Sequence, residues 1–164
     1  MATIIPVMTS NTAPEGTVFF TGTDIGFPEH SPFDGDNEIN VGWAIASVTG
    51  SLGYQFPDSK KAIVTSYVIT TRNENGSPRA PKSWQFQGSN DGTNWTTLDT
   101  RTNITDWASV APQSHSYSFS NTTEYQYYRV NITASNDASY VGIGLLTMDG
   151  TVVIQNKGNF LLFF

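Results

Sequence analysis

The stretch Pro81–Asp99, PKSWQFQGSNDGTNWTTLD, constrains this chain more than any other. Trp84, Phe86 and Gly88 alternate with Gln85 and Gln87. One face is therefore apolar and the other carries amides, the period-two pattern of a half-buried strand. Ser89-Asn90-Asp91-Gly92 then supplies four turn formers in a row. Trp95 and Leu98 begin a return strand. The unit reads as a β-hairpin, and a hairpin needs further strands to bury its apolar face.

The rest of the sequence supplies them. Strand-like runs separated by Gly, Asn, Asp, Ser and Pro fall near 17–21, 38–44, 52–56, 62–71, 83–88, 95–100, 115–120, 126–134, 141–148, 151–155 and 160–164. No segment carries helical periodicity. Ile63, Thr65, Tyr67 and Ile69 alternate with Val64, Ser66 and Val68, which predicts a strand covered on both faces. Tyr128, Val130 and Ile132 alternate with Arg129 and Asn131, which predicts a half-exposed one. Many short strands without helices predict a sandwich or barrel. With 164 residues and no cysteine, the chain is expected to form one domain whose core holds without disulfides. Trp43, Trp84 and Trp95 are expected in that core, and Trp107 in a polar loop.

As a string of residue types, Trp84–Trp95 resembles the W-x-F-x-G-S-N-D-G-x-N-W signature of the coagulation-factor type C (discoidin) family, which includes galactose-binding-like carbohydrate modules. Phe33-Asp34-Gly35-Asp36 with Trp43 resembles that family's early segment. Tyr127-Tyr128-Arg129-Val130 resembles its late strand, and Gly144–Gly150 its closing strand. The resemblance spans residues 17–150 and implies an all-β fold, an eight-stranded jelly-roll β-sandwich of the galactose-binding-domain-like kind. Around it we expect an extended N-terminal arm over 1–14, the sandwich over 15–156 and an apolar tail over 157–164. Phe160, Leu161, Leu162, Phe163 and Phe164 must be covered. They either pack into their own sandwich or form a subunit interface, in which case a symmetric homo-oligomer, a trimer first, is expected, or docking on other proteins of a particle.

Charge and motifs exclude several functions. Eight scattered Lys and Arg and a net charge of −6 argue against nucleic acid. No apolar run approaches the ~20 residues a membrane helix needs, so no membrane insertion is expected. There is no G-x-S-x-G, H-E-x-x-H or P-loop, and His30 and His115 lie in no nucleophile or metal motif. No enzyme is expected.

Sugar sites need an aromatic face for the C–H patch and planar polar groups for the hydroxyls. The resemblance implies that such a site lies in loops at one end of the sandwich, here 23–32, 45–51, 72–81, 105–115 and 135–139. Its ligand-binding candidates are Phe27, His30, Arg72, Asn73, Arg79 and Trp107. Arg72 follows a strand, where it either reaches a ligand or braces a loop carbonyl or carboxylate. The resemblance also implies a structural calcium held by Asp34 and Asp36. Val41 and Leu145 stand where the family supplies a Ser or Thr and a Glu, so an Asx-type turn is expected there and no cofactor.

The phrase MTSNTAPEGTV (Met8–Val18) resembles the opening of discoidin-like domains in tailed-phage structural proteins, and the start shows no basic-then-apolar leader. Together these lead to the expectation of a non-enzymatic virion surface or adhesion module of a tailed phage, made in the host cytoplasm and binding host-surface glycans. The alternatives are a capsid decoration (cement) protein with a purely structural role, and an extracellular bacterial lectin module.

Overall fold

The computed structural model describes residues 3–22, 28–36, 41–73, 79–107 and 112–155. Ten strands follow in order: β1 (Thr17–Phe20), β2 (Trp43–Ile45), β3 (Gly50–Gln55), β4 (Lys60–Thr70), β5 (Pro81–Ser89), β6 (Thr96–Arg101), β7 (Ser114–Ser118), β8 (Tyr127–Ser135), β9 (Val141–Ile143) and β10 (Leu145–Ile154). Strands β1-β3-β8-β5-β6 make a five-stranded sheet, β10-β4-β7 a three-stranded one, and β2-β9 a short ribbon. Every pairing is antiparallel. The two large sheets hold the expected eight strands of a sandwich, and the ribbon is additional. The one helical element among the described residues is a 3-10 turn, Ser31–Phe33.

Period-two patterning sets the core. Leu52 and Tyr54 of β3, Trp84 and Phe86 of β5, and Tyr128 and Val130 of β8 are all buried. Tyr67 and Ile69 of β4 and Leu146 and Met148 of β10 meet them from the other sheet. Tyr67 and Phe86 stack across the gap, centroids 4.3 Å apart and 5° from parallel. Two polar ties also cross it. The Tyr128 hydroxyl donates to Ala62 O (2.6 Å) and accepts from the Val64 N–H (3.3 Å). Trp84 Nε1 donates to the Tyr67 hydroxyl (2.8 Å), which donates to Asp99 Oδ2 (2.8 Å). A buried N–H or hydroxyl without a partner is costly, so these ties let large amphipathic rings fill the core.

Three sequence readings are corrected. First, β4 does not keep one phase. Val64 pairs with Gly150 and Ser66 with Asp149, so Thr65 has no opposite number. The buried set is Ala62 and Val64 before this bulge and Tyr67 and Ile69 after it, with Thr65 exposed. A Cβ at Gly150 would collide with Ile63 O, which is why the partner strand carries glycine there. Second, Trp95 is not in the inter-sheet core. It lies half-buried on the outer face, against Phe19 and Arg129. Third, the N-terminal segment is laid along the sandwich. Ile4 N–H donates to Met148 O (2.8 Å), Met8 N–H to Phe33 O (2.9 Å), and the Ile5 and Met8 side chains are buried. The apolar residues Phe160–Phe164 and the loop residue Phe27 lie outside the described residues.

Candidate functional site

Strand register gathers the loops at one end. Phe20 pairs with Leu52, Gly50 with Ile132, Pro81 with Ser135, Trp84 with Arg101, and Thr70 with both Ser114 and Leu145. The exits of β1, β4, β6 and β8 and the entries of β3, β5, β7 and β10 therefore share that end.

The backbone of Ala80–Pro81 is its anchor. Asn136 Nδ2 donates to Ala80 O (3.2 Å), Pro81 O (3.3 Å) and Ile104 O (3.1 Å), joining three loops through one amide. Trp107 Nε1 donates to Pro81 O (2.9 Å), which fixes the indole. The ring then stacks on His115 of β7, centroids 4.1 Å apart and 18° from parallel. Both rings are half-exposed. His115 Nδ1 and the Tyr117 hydroxyl are 3.3 Å apart, and burial pushes that hydroxyl up to about 12.

Tyr140 forms the second aromatic element. Asp137 Oδ1 accepts the N–H groups of Ser139 (2.7 Å) and Tyr140 (2.8 Å), and Ser135 Oγ donates to Tyr140 O (2.6 Å). This Asx-type turn sets Tyr140 at the mouth of β9. The Arg79 guanidinium lies 4.7 Å above its ring, and Arg79 O accepts the Gly142 N–H (2.8 Å). The loop end thus carries two ring–cation or ring–ring platforms, Trp107–His115 and Tyr140–Arg79, on one anchored backbone.

Among the sequence candidates, Arg79 and Trp107 are brought together by this anchor. Arg72 is 2% exposed, and its Nη1 donates to Gly42 O (2.7 Å). Gly42 has φ +110° and Gly142 passes under the Arg72 side chain, where a Cβ would come within 2.7 Å of Cδ. The side chain thus runs inside the protein and braces a carbonyl at the head of the β2-β9 ribbon. Asn73 is half-buried beside it in sequence. His30 sits instead at the 3-10 turn, where its carbonyl accepts the Phe33 N–H (2.8 Å), and no contact among the described residues joins it to the Asn136 anchor. Sequence reasoning placed Asn136 in one of these loops but did not single out Tyr140 or His115, which pack against Arg79 and Trp107. The signals were present: Asp137 lies three residues before Tyr140, and His115 lies one strand period from Tyr117.

Among the described residues, Asp34 and Asp36 do not form a calcium cage. Asp34 Oδ1 is engaged by the Asp36 N–H (2.8 Å), and burial raises the Asp34 carboxyl above its ordinary value. Leu145 lines a mainly apolar crevice with Ile5, Val7, Pro32, Phe33 and the threonines Thr3 and Thr147, so its own side chain supplies no oxygen ligand there. No group of three or more His, Cys, Asp or Glu is placed to hold a metal among the described residues. The same crevice lacks the convergent polar groups a sugar needs.

The F5/8 type C domain family matches residues 12–145. No curated protein matches the chain by sequence. Solved structures share the fold. A family 32 carbohydrate-binding module of Clostridium perfringens NanJ, solved with galactose, has TM-score 0.65 at 18% identity, covering 85% of this chain and 97% of that one. A further C. perfringens module of that family, solved with GalNAc-β-1,3-galactose, has TM-score 0.63 at 13% identity over 81% and 94%. Chitosan-binding module 1 of a Paenibacillus chitosanase/glucanase has TM-score 0.62 at 23% identity over 85% and 98%.

Proposed function

This chain belongs to the F5/8 type C domain family, and from that premise we propose that it is a non-catalytic glycan-binding module whose site is the loop end around Ala80–Pro81. The observation that carries this reading is the pair of half-exposed aromatic platforms held on one backbone anchor, with the Arg79 guanidinium beside them. A pyranose presents one C–H face and several equatorial or axial hydroxyls. The ring stacks on Trp107–His115, and Arg79 donates to vicinal hydroxyls. Terminal galactose or GalNAc is the first sugar to test, since two related structures hold such ligands.

An aromatic and arginine-bearing loop end favours recognition over the purely structural cement role. It suits an extracellular lectin-like module as well as it suits phage adhesion. No feature of the fold or the site singles out a virion, so the extracellular bacterial module is the reading adopted. Among the described residues the loop end offers groups that position a sugar, and its part in any reaction is to hold substrate near a catalyst.

The test is calorimetric titration with galactose, GalNAc and lactose. Binding in the usual weak range of a single sugar site is expected, lost by about tenfold or more in Trp107→Ala and in Arg79→Ala, since each removes a stacking or bidentate contact. Unchanged affinity in both variants would overturn this site.

A further inference from the structure

The outer face of the five-stranded sheet carries a second constellation, on the opposite side from the core and away from the loop end. Register places Phe19, Gly53, Arg129, Gln87 and Thr97 in one row across all five strands. Trp95 folds over this row from the β5–β6 hairpin, its ring 3.9 Å from the Arg129 guanidinium carbon and 5.9 Å from Phe19. Arg129 Nε donates to Gln87 Oε1 (2.8 Å). Gln87 is itself fixed by donating to Gln85 Oε1 (2.9 Å) and Thr97 Oγ1 (3.2 Å). The guanidinium is thus held flat and in one orientation. Its two terminal nitrogens have no protein acceptor, and no carboxylate contacts it, among the described residues. The contrast is internal: Lys60 pairs with Glu15 and Arg101 with Asp99.

A partly desolvated, oriented guanidinium without a counter-ion is a receptor for a planar or tetrahedral anion. In the neighbouring row Ser51 is buried, while Asn131, Gln85 and Thr100 offer amides and a hydroxyl but no charge. Aromatic edges, amides and hydroxyls around one cation match a sugar ring that bears an acid. We propose that this face is a second binding site, for a saccharide carrying a carboxylate or sulfate group, with Arg129 as the anion-binding residue. The site is independent of the loop end and goes beyond recognition of neutral sugars there. The protein's net charge of −6 repels acidic chains at long range, so retention on one must come from local contact and not from general attraction.

The test is native affinity electrophoresis of the full chain in gels containing polygalacturonate, a sulfated galactan or neutral galactan. Two of these carry the anion and separate carboxylate from sulfate. Retardation by at least one acidic polymer is expected to persist in Trp107→Ala/Arg79→Ala. It is expected to fall by about tenfold in affinity in Arg129→Lys, which keeps the charge but loses the fork. Thermal melts confirm that each variant folds. Should Arg129→Lys unfold, Gln85→Ala and Asn131→Ala, on the exposed part of the face, serve instead and are expected to weaken retention. No retardation in either acidic gel would overturn the proposal. So would retention that survives folded Arg129→Lys, survives both neighbour variants, or vanishes only with the loop-end pair. Failure of galactose titration with acidic retention intact would sink the loop-end reading alone.

Discussion

Tyr67 does at one residue what the fold does as a whole. Its ring stacks on Phe86 and its hydroxyl accepts from Trp84 and donates to Asp99, so one side chain supplies both packing and a cross-sheet tie. Tyr67→Phe keeps the ring and strands the Trp84 N–H, while Asp99 Oδ2 keeps its bond from Arg101 Nε (2.8 Å). The expected cost is about 1–3 kcal/mol, read by urea unfolding. Asp91 acts at the hairpin turn, where the Asn94 side chain first, then the Asn94 and Thr93 N–H groups, hold its carboxyl well below the usual range. A depressed carboxyl contributes stability that is present above its ordinary value of 3.8 and is lost as pH falls below it. Asp91→Ala is therefore expected to lower the melting temperature at neutral pH, and the difference from the parent should shrink in acid. A difference that is constant with pH would mean the carboxylate's charge is irrelevant to the turn.

At the scale of elements, most of the framework was legible. The hairpin of β5 and β6 could be read because Trp84 and Phe86 alternate with glutamines and the turn formers fall together. Trp84→Ala is expected to cost about 3–5 kcal/mol through the cavity it leaves. A loss under 1 kcal/mol would contradict its place in the core. The illegible parts have physical causes. Thr65 gives no sign that it is the extra residue of a bulge, because the register shift that leaves it unpaired is set across the sheet, between Asp149 and Gly150. Trp95 reads as core by hydrophobicity, yet it is half-buried against an arginine face instead. Ile5 and Met8 looked like parts of an extended arm because two prolines, Pro6 and Pro14, interrupt any strand pattern in that segment. At the loop end Arg79, Trp107 and Asn136 could be named, but not the anchoring role of Asn136, which acts through carbonyls, and carbonyl positions are a property of the fold rather than of residue type.

The molecule as a whole is a sandwich stitched by tyrosines, and that has a consequence in alkali. Burial pushes the Tyr117 and Tyr128 hydroxyls up to about 12 and raises Tyr54 and Tyr67 further, from an ordinary value of 10. The folded state therefore keeps protons that the unfolded state loses. Stability is full below pH 10 and falls as pH rises from there towards 12. Tyrosinate absorbance of the core rings should appear together with loss of fold, whereas smooth titration of all seven tyrosines in a folded protein would contradict their burial. The Asn136 anchor of the loop end is set on β5 and β8, two interior strands of the large sheet. The most direct measurement of the central claim is amide and indole NMR of the labelled protein titrated with a galactoside. Saturable shifts are predicted for the Trp107 indole N–H and for the amides of Arg79, Asn136 and Tyr140, with the Arg129–Trp95 face unmoved. Shifts confined to any other surface, or none at saturating sugar, would contradict it.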